Sequence, residues 1–178
     1  MATQKNAFGI ASQLAIAAVF AALVCVATIL FVISIPATSG YFNLGETVIY
    51  IAALLFGPYV GAIAGGIGAS IADVILAPQF APGTLVIKSI EGIIVGFVNK
   101  KLGRRTLPAL SAITATVLGG LEMVAGYFLY EQLVLSYGIA AAATEMPFNV
   151  VQMWVGLMVA IPVVRIVLRI FPQLKSQN

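Results

Sequence analysis

The stretch Leu44–Asp73, LGETVIYIAALLFGPYVGAIAGGIGASIAD, decides how many times this chain crosses an apolar layer. Its only charges, Glu46 and Asp73, sit at the two ends. Gly57-Pro58 interrupts it, because proline lacks an N–H and its ring clashes with the preceding helical turn. The stretch therefore reads either as one kinked helix or as two helices, about Leu44–Phe56 and Tyr59–Leu76. At ~1.5 Å per residue the first piece reaches only about 20 Å, short of a ~30 Å hydrocarbon layer.

Charge placement chooses between the two. The basic residues are Lys5, Lys88, Lys100, Lys101, Arg104, Arg105, Arg165, Arg169 and Lys175. If 44–76 makes two passes, every one except Lys88 falls on the side of the N-terminus. A single pass would move the cluster Lys100–Arg105 to the other face. Positive residues favour the cytoplasmic side, so two passes are expected. A short second helix is acceptable where protein neighbours surround it.

The other segments follow from apolar runs and proline stops: about Phe8–Ile33, Thr84–Asn99, Pro108–Leu135 and Pro147–Phe171. The expected fold is an all-α integral membrane bundle of six transmembrane helices, both termini cytoplasmic, forming a single domain over 1–178. Three loops then lie outside, about Ser34–Asn43, Ala77–Gly83 and Ser136–Met146. Composition agrees, with 61% hydrophobic and 8% charged residues in 178, against roughly 25% charged in soluble domains. The run Phe8–Ile35 is longer than the ~7–15-residue core of a signal peptide, so no cleavage is expected.

All six acidic residues, Glu46, Asp73, Glu91, Glu122, Glu131 and Glu145, fall outside the cytoplasmic segments. An ionisable group at bilayer depth costs about 2.5–3.5 kcal/mol on the lenient insertion scale, so it needs a partner or a wet cavity. Convergence on one outer cavity is the simplest arrangement. Lys88 and Glu91 are i,i+3 and can pair. Glu145, Asn149, Gln152 and Gly156 make a polar stripe at helical spacing, and Tyr127 and Glu131 are i,i+4. An apolar cavity with a few placed polar groups suits a small ligand, and aromatic faces would stack on a flat ring. In the blander reading, Glu46, Asp73 and Glu145 are interfacial residues at helix ends, Lys88–Glu91 is a structural ion pair, and Trp154 and the tyrosines form an aromatic belt.

Small residues mark packing faces, since they let helix backbones approach in lipid. Gly57, Gly61, Gly65 and Gly68 line one face, and Gly92 and Gly96 repeat the spacing. The first helix carries Ala11, Ala15, Ala18 and Ala22, with Ala17 and Ala21 beside them, a face suited to internal packing or to docking another membrane protein.

Several functions lose their machinery. The chain has no histidine, one cysteine (Cys25) and one aspartate, which leaves little for catalysis, and no enzyme activity is expected. No G-x-x-x-x-G-K-[ST] loop occurs, so accumulation of a solute would need an ATPase partner or an ion gradient. A stand-alone secondary transporter of a small heterocyclic solute is the alternative, although no internal repeat of the kind such transporters carry is evident.

The alanine-rich first helix, residues 44–73, APGTLVIKSIEGIIVGFVNKKL (81–102) and EMPFNVVQMWVG (145–156) together resemble the S-components of energy-coupling factor (ECF) transporters. The likeness is to the riboflavin-type branch with its hydroxymethylpyrimidine and pyridoxine relatives, and it runs nearly end to end. It implies a multi-pass plasma-membrane subunit that binds a water-soluble vitamin or precursor between the outer parts of helices four to six, under the first outer loop. By that resemblance Lys88, Glu91, Glu122, Tyr127, Asn149 and Gln152 line the pocket, and Asn43 and Glu46 gate it. Ala17/Ala21 or Ala18/Ala22 would dock on a transmembrane T-component. Two cytoplasmic ATPases would hydrolyse the ATP, with no cofactor, metal or nucleic acid on this chain.

Overall fold

A helix of 12 residues, α2 (Gly45–Phe56), sits at the centre of the fold in the computed structural model. The structure describes residues 9–103 and 108–177. Phe8, Lys5, Arg104 and Arg105, used above to place the first helix and the basic cluster, lie outside the described residues. Around α2 stand α1 (Ile10–Leu30), α3 (Pro58–Leu76), α4 (Ala81–Gly103), α5 (Pro108–Leu133) and α6 (Ile139–Ile170). A two-stranded hairpin, β1 (Ile33–Ile35) and β2 (Gly40–Phe42), joins α1 to α2, and a 3-10 turn (Pro172–Gln177) follows α6.

The short helix is short because it never needs to meet lipid. Only Val48, Ile51 and Phe56 of α2 are even partly exposed. Tyr50, Ile49 and Leu54 are at most 1% exposed. The five helices around it are each long and apolar enough to cross a membrane. A helix packed on all sides by protein has its backbone satisfied internally and does not have to match the bilayer.

Gly57 settles the two-pass question. It has φ +86°, a left-handed value that L side chains resist, and Pro58 follows as the first residue of α3. The chain reverses there: Gly61 lies against Ala53, and Gly65 against Ile49. The segment is thus an antiparallel helical pair and not a kinked rod.

The glycine face of α3 is a seam. A Cβ on Gly61 would sit 2.9 Å from the Gly92 carbonyl oxygen, and one on Gly65 would sit 2.8 Å from the Lys88 carbonyl oxygen. At Gly92 a Cβ would strike the Gly61 and Ala62 backbone outright. Backbones this close gain dispersion contact that larger side chains would prevent. α1 buries only Ala17, Ala21, Val24 and Thr28, a single stripe, and Gly68 of α3 packs against the Ala21 carbonyl and Val24.

Three boundaries differ from the sequence reading. The first outer loop is a hairpin, with Ile33 opposite Phe42 and Ile35 opposite Gly40. α6 starts at Ile139, not Pro147, so Pro147 lies inside the helix. The run Ala140–Ala143 is strongly helix-forming and carries the helix upstream of the proline. α4 starts at Ala81 and not Thr84, since Pro82 is tolerated in a first turn where N–H groups lack helical partners.

Gly92→Ala should destabilise the bundle by roughly 1–3 kcal/mol, the range for overpacking, because the obstruction is backbone. Gly103→Ala, whose new Cβ would meet only the Ser111 hydroxyl at 3.6 Å, should leave thermal unfolding in detergent nearly unchanged. Equal unfolding temperatures for the two variants would contradict the seam.

Candidate functional site

The hairpin lies over one end of the bundle, and a cavity of about 30 Å³ lies beneath it. Gly40, Tyr41 and Asn43 come from the hairpin and its exit, Asp73 from the end of α3, and Phe80 from the α3–α4 turn. Tyr127 comes from α5, and Glu145, Asn149 and Gln152 from α6. The last three are at i, i+4 and i+7, which puts them on one face of a 3.6-residue helix. All three are buried, at 4%, 7% and 3% exposure.

Hydrogen bonds fix the hairpin to three points. The Thr38 hydroxyl donates to Glu145, and the Tyr41 hydroxyl donates to Asp73. The Asn43 N–H donates to Gln152 Oε1 at 2.9 Å, while Asn43 Oδ1 accepts the Gly45 N–H at 2.9 Å at the start of α2. Burial and the neighbouring Asp73 carboxylate push the Tyr41 hydroxyl well above the usual phenol range. Tyr41 therefore stays protonated and remains a donor at physiological pH. Behind the cavity, Thr84 and Tyr127 share a hydroxyl–hydroxyl bond of 2.9 Å, and Phe80 meets the Tyr127 ring edge-on with centroids 6.4 Å apart.

Tyr127 separates this cavity from a buried charge cluster. The Lys88 ammonium lies 5.8 Å from the Tyr127 ring centroid, a cation–π distance. It donates to Glu46 and, at 2.9 Å, to Glu91. The Tyr50 hydroxyl reaches Glu91 Oε1 at 3.4 Å. Lys88, Glu46 and Glu91 are 3%, 1% and 0% exposed. One cation thus serves two carboxylates from different helices, and Glu46 Oε1 has no hydrogen-bond partner among the described residues. The geometry makes the cluster both a tie between α2 and α4 and a reserve of acceptor capacity behind the cavity wall.

Of the residues expected at a pocket, Asn43, Tyr127, Asn149 and Gln152 line the cavity. Lys88, Glu91 and Glu46 lie one layer behind, in the ion cluster. Glu122 is half-buried on α5, within electrostatic reach of Lys88 and Glu46, and outside the cavity wall. Asp73 and Glu145, which also read as interfacial helix ends, are buried and face the cavity. Tyr41, Gly40 and Phe80 were not singled out by sequence, because they depend on the hairpin and turn folding back over the bundle. Trp154 is 47% exposed, on the outside of α6. Ala17 and Ala21 are buried, whereas Ala18 and Ala22 are exposed. Among the described residues no cluster of His, Cys, Asp or Glu is arranged to hold a metal ion.

The model for ECF-type riboflavin transporter S components matches residues 10–169. This chain belongs to that family. The S component also shares 43% identity over 139 residues with a Pyrococcus woesei protein described as an uncharacterized protein in the gap 3' region, covering 76% of this chain and 88% of that one. Its fold matches a solved S component of a bacterial ECF transporter with a TM-score of 0.69 at 16% identity, over 91% of this chain and 98% of the other. The all-α, six-helix fold is thus the S-component fold, and the chain is a multi-pass plasma-membrane protein. It is the substrate-binding subunit of an ECF transporter, a family of transporters and not a class of enzymes.

Lys88→Met should destabilise the S component by about 3–5 kcal/mol, the usual cost of stranding a buried charge. Adding Glu46→Gln and Glu91→Gln should recover much of that loss, because no charge is then left stranded. Thermal unfolding in detergent reads both. A triple variant no more stable than Lys88→Met would show that the cluster is not electrostatically coupled.

Proposed function

We propose that this S component captures a flat, water-soluble vitamin, riboflavin or a related pyrimidine or pyridine compound, in the cavity under the hairpin. The supporting observation is that Glu145, Asn149 and Gln152 of α6, Asp73 and the hairpin converge on one hollow, in a chain of the riboflavin-type family. Asp73, Glu145, Asn149 and Gln152 offer many acceptors, which suit a ligand rich in hydroxyl and ring N–H donors. Phe80, Tyr41 and Tyr127 offer ring faces and edges for a heteroaromatic plane.

A volume of about 30 Å³ is far below the ~300–1,000 Å³ of typical ligand sites. Binding is therefore coupled to movement of the hairpin. The Tyr41–Asp73 and Thr38–Glu145 bonds are side chain to side chain, so a ligand hydroxyl can replace either partner without unfolding a helix. Asn43, at the junction of hairpin and α2, acts as the hinge-side gate, and Glu46 and Lys88 back the site.

The partners in this reading are a transmembrane T-component and two cytoplasmic ATPases, which supply the ATP hydrolysis this chain is not equipped to perform. The docking face is the exposed alanine row Ala11, Ala15, Ala18 and Ala22 of α1. Ala17 and Ala21 serve the α3 interface instead. The hairpin end faces outward and both termini face the cytoplasm, since Lys100, Lys101, Arg165 and Arg169 all lie at the opposite end. The chain itself performs no chemical reaction and carries no cofactor.

Mass spectrometry of the solute retained by the purified protein should identify such a vitamin. Asn149→Ala and Gln152→Ala should each weaken its binding by roughly 10-fold, as expected for a lost buried hydrogen bond. Unchanged affinity in both variants would remove this cavity as the site. Ala18→Trp should retain solute binding while losing co-purification with the T-component. Accumulation by proteoliposomes containing this chain alone and an ion gradient would instead establish a secondary transporter.

A further inference from the structure

At the end of the bundle opposite the hairpin, α2, α4, α5 and α6 enclose a second cavity of about 300 Å³. Its walls are apolar: Leu54, Ile161 and Val164 line it and are themselves buried. One corner is polar. The Ser111 hydroxyl donates to Asn99 Oδ1 at 3.1 Å, so the donors Asn99 retains are its amide N–H groups. Lys100 and Arg165 stand at the rim, half-exposed and exposed respectively.

Among the described residues no carboxylate lines this cavity. The six acidic residues of the chain are Glu46, Asp73, Glu91, Glu122, Glu131 and Glu145, and none of them lines this cavity. Lys101 and Arg169 add further positive charge to the last turns of α4 and α6. A free anion would need the cations but not a deep apolar hollow, and a neutral apolar solute would need the hollow but not the cations. An amphiphile with a negative head and a hydrocarbon body uses both.

We infer that this cavity binds an anionic membrane lipid, its phosphate between Lys100 and Arg165 and part of a tail in the hollow against Ile161 and Val164. The lipid would come from the leaflet at the basic end, where anionic headgroups and juxtamembrane Lys and Arg attract one another. Such a lipid fills the space between the ends of four helices, one of which is the short α2. The inference is independent of which solute occupies the hairpin end.

The test uses the full chain purified in neutral detergent, with lipid binding followed by native mass spectrometry. The probes are dioleoyl phosphatidylglycerol, dioleoyl phosphatidylcholine with the same tails, and glycerol 3-phosphate with the head alone. Phosphatidylglycerol should bind at least about 10-fold more tightly than phosphatidylcholine, and glycerol 3-phosphate should not compete. Lys100→Gln with Arg165→Gln should weaken phosphatidylglycerol roughly 10- to 30-fold, at about one surface-cation interaction per residue removed. Val164→Trp keeps both cations and should abolish binding by filling the hollow. Should that variant fail to fold, Leu168→Trp, which is half-buried at the rim, takes its place. Equal affinity for the two lipids, unchanged binding in the double variant, or competition by glycerol 3-phosphate would each overturn the proposal. So would the absence of any lipid adduct, the result for a hollow that instead seats a segment of a partner protein.

Discussion

The Lys88 ammonium, held between Glu46 and Glu91 inside a membrane bundle, is the constraint on which the rest of this structure turns. Ions at this depth are tolerated only when they answer one another, because the surroundings supply neither water nor counterions. Pairing requires Glu46 at the first turn of α2 to reach two turns into α4, which brings α2 into the centre. A central α2 needs no lipid-matching length, and the long helices around it can then be bound by small residues. The Gly65 contact with the Lys88 carbonyl oxygen shows the same point from the backbone side: the seam that joins α3 to α4 also sets the height of the lysine.

The two ends of the bundle have opposite chemistry. The hairpin end concentrates acceptors and carries the carboxylates of Asp73 and Glu145, each occupied by a hydroxyl donor from the hairpin. Side-chain bonds of this kind are modest in net strength, about 0.5–1.5 kcal/mol when neutral and up to ~3 with a charged partner. A few of them can hold a lid closed and still be exchanged for ligand contacts. The basic end has cations without carboxylates and a larger, apolar hollow. A subunit that takes a solute from one side and depends on partners at the other is served by that division.

Much of this was legible in the sequence, and the failures have physical causes. The six-helix count followed from the break at Gly57-Pro58 and the side on which Lys100 and Lys101 fall. The α6 stripe was readable because 3.6-residue periodicity places Glu145, Asn149 and Gln152 together whatever the rest of the chain does. Depth was harder to read. Lys88, Glu91 and Glu46 announce a buried ionic group, but whether they line the cavity or stand behind it depends on the Tyr127 ring, a tertiary matter. The hairpin was invisible as strands, since three-residue strands carry no useful period and Ile33–Ile35 and Gly40–Phe42 are held by pairing with each other and by the side-chain bonds to Asp73 and Glu145. On α1, composition alone could not divide the alanines. Neighbouring positions have the same side chain, and only burial in the folded bundle shows that Ala17 and Ala21 face inward.

In the proposed reading a solute occupies the hairpin-end hollow with the Lys88 cluster behind it. A structure determined with the co-purifying solute bound tests this most directly. A planar ligand should lie among Asp73, Tyr127, Asn149 and Gln152, with the Lys88–Glu46–Glu91 cluster intact and the hairpin displaced from Glu145 or Asp73. Ligand found in the basic-end cavity, or on the outer surface with the hairpin bonds unchanged, would contradict it.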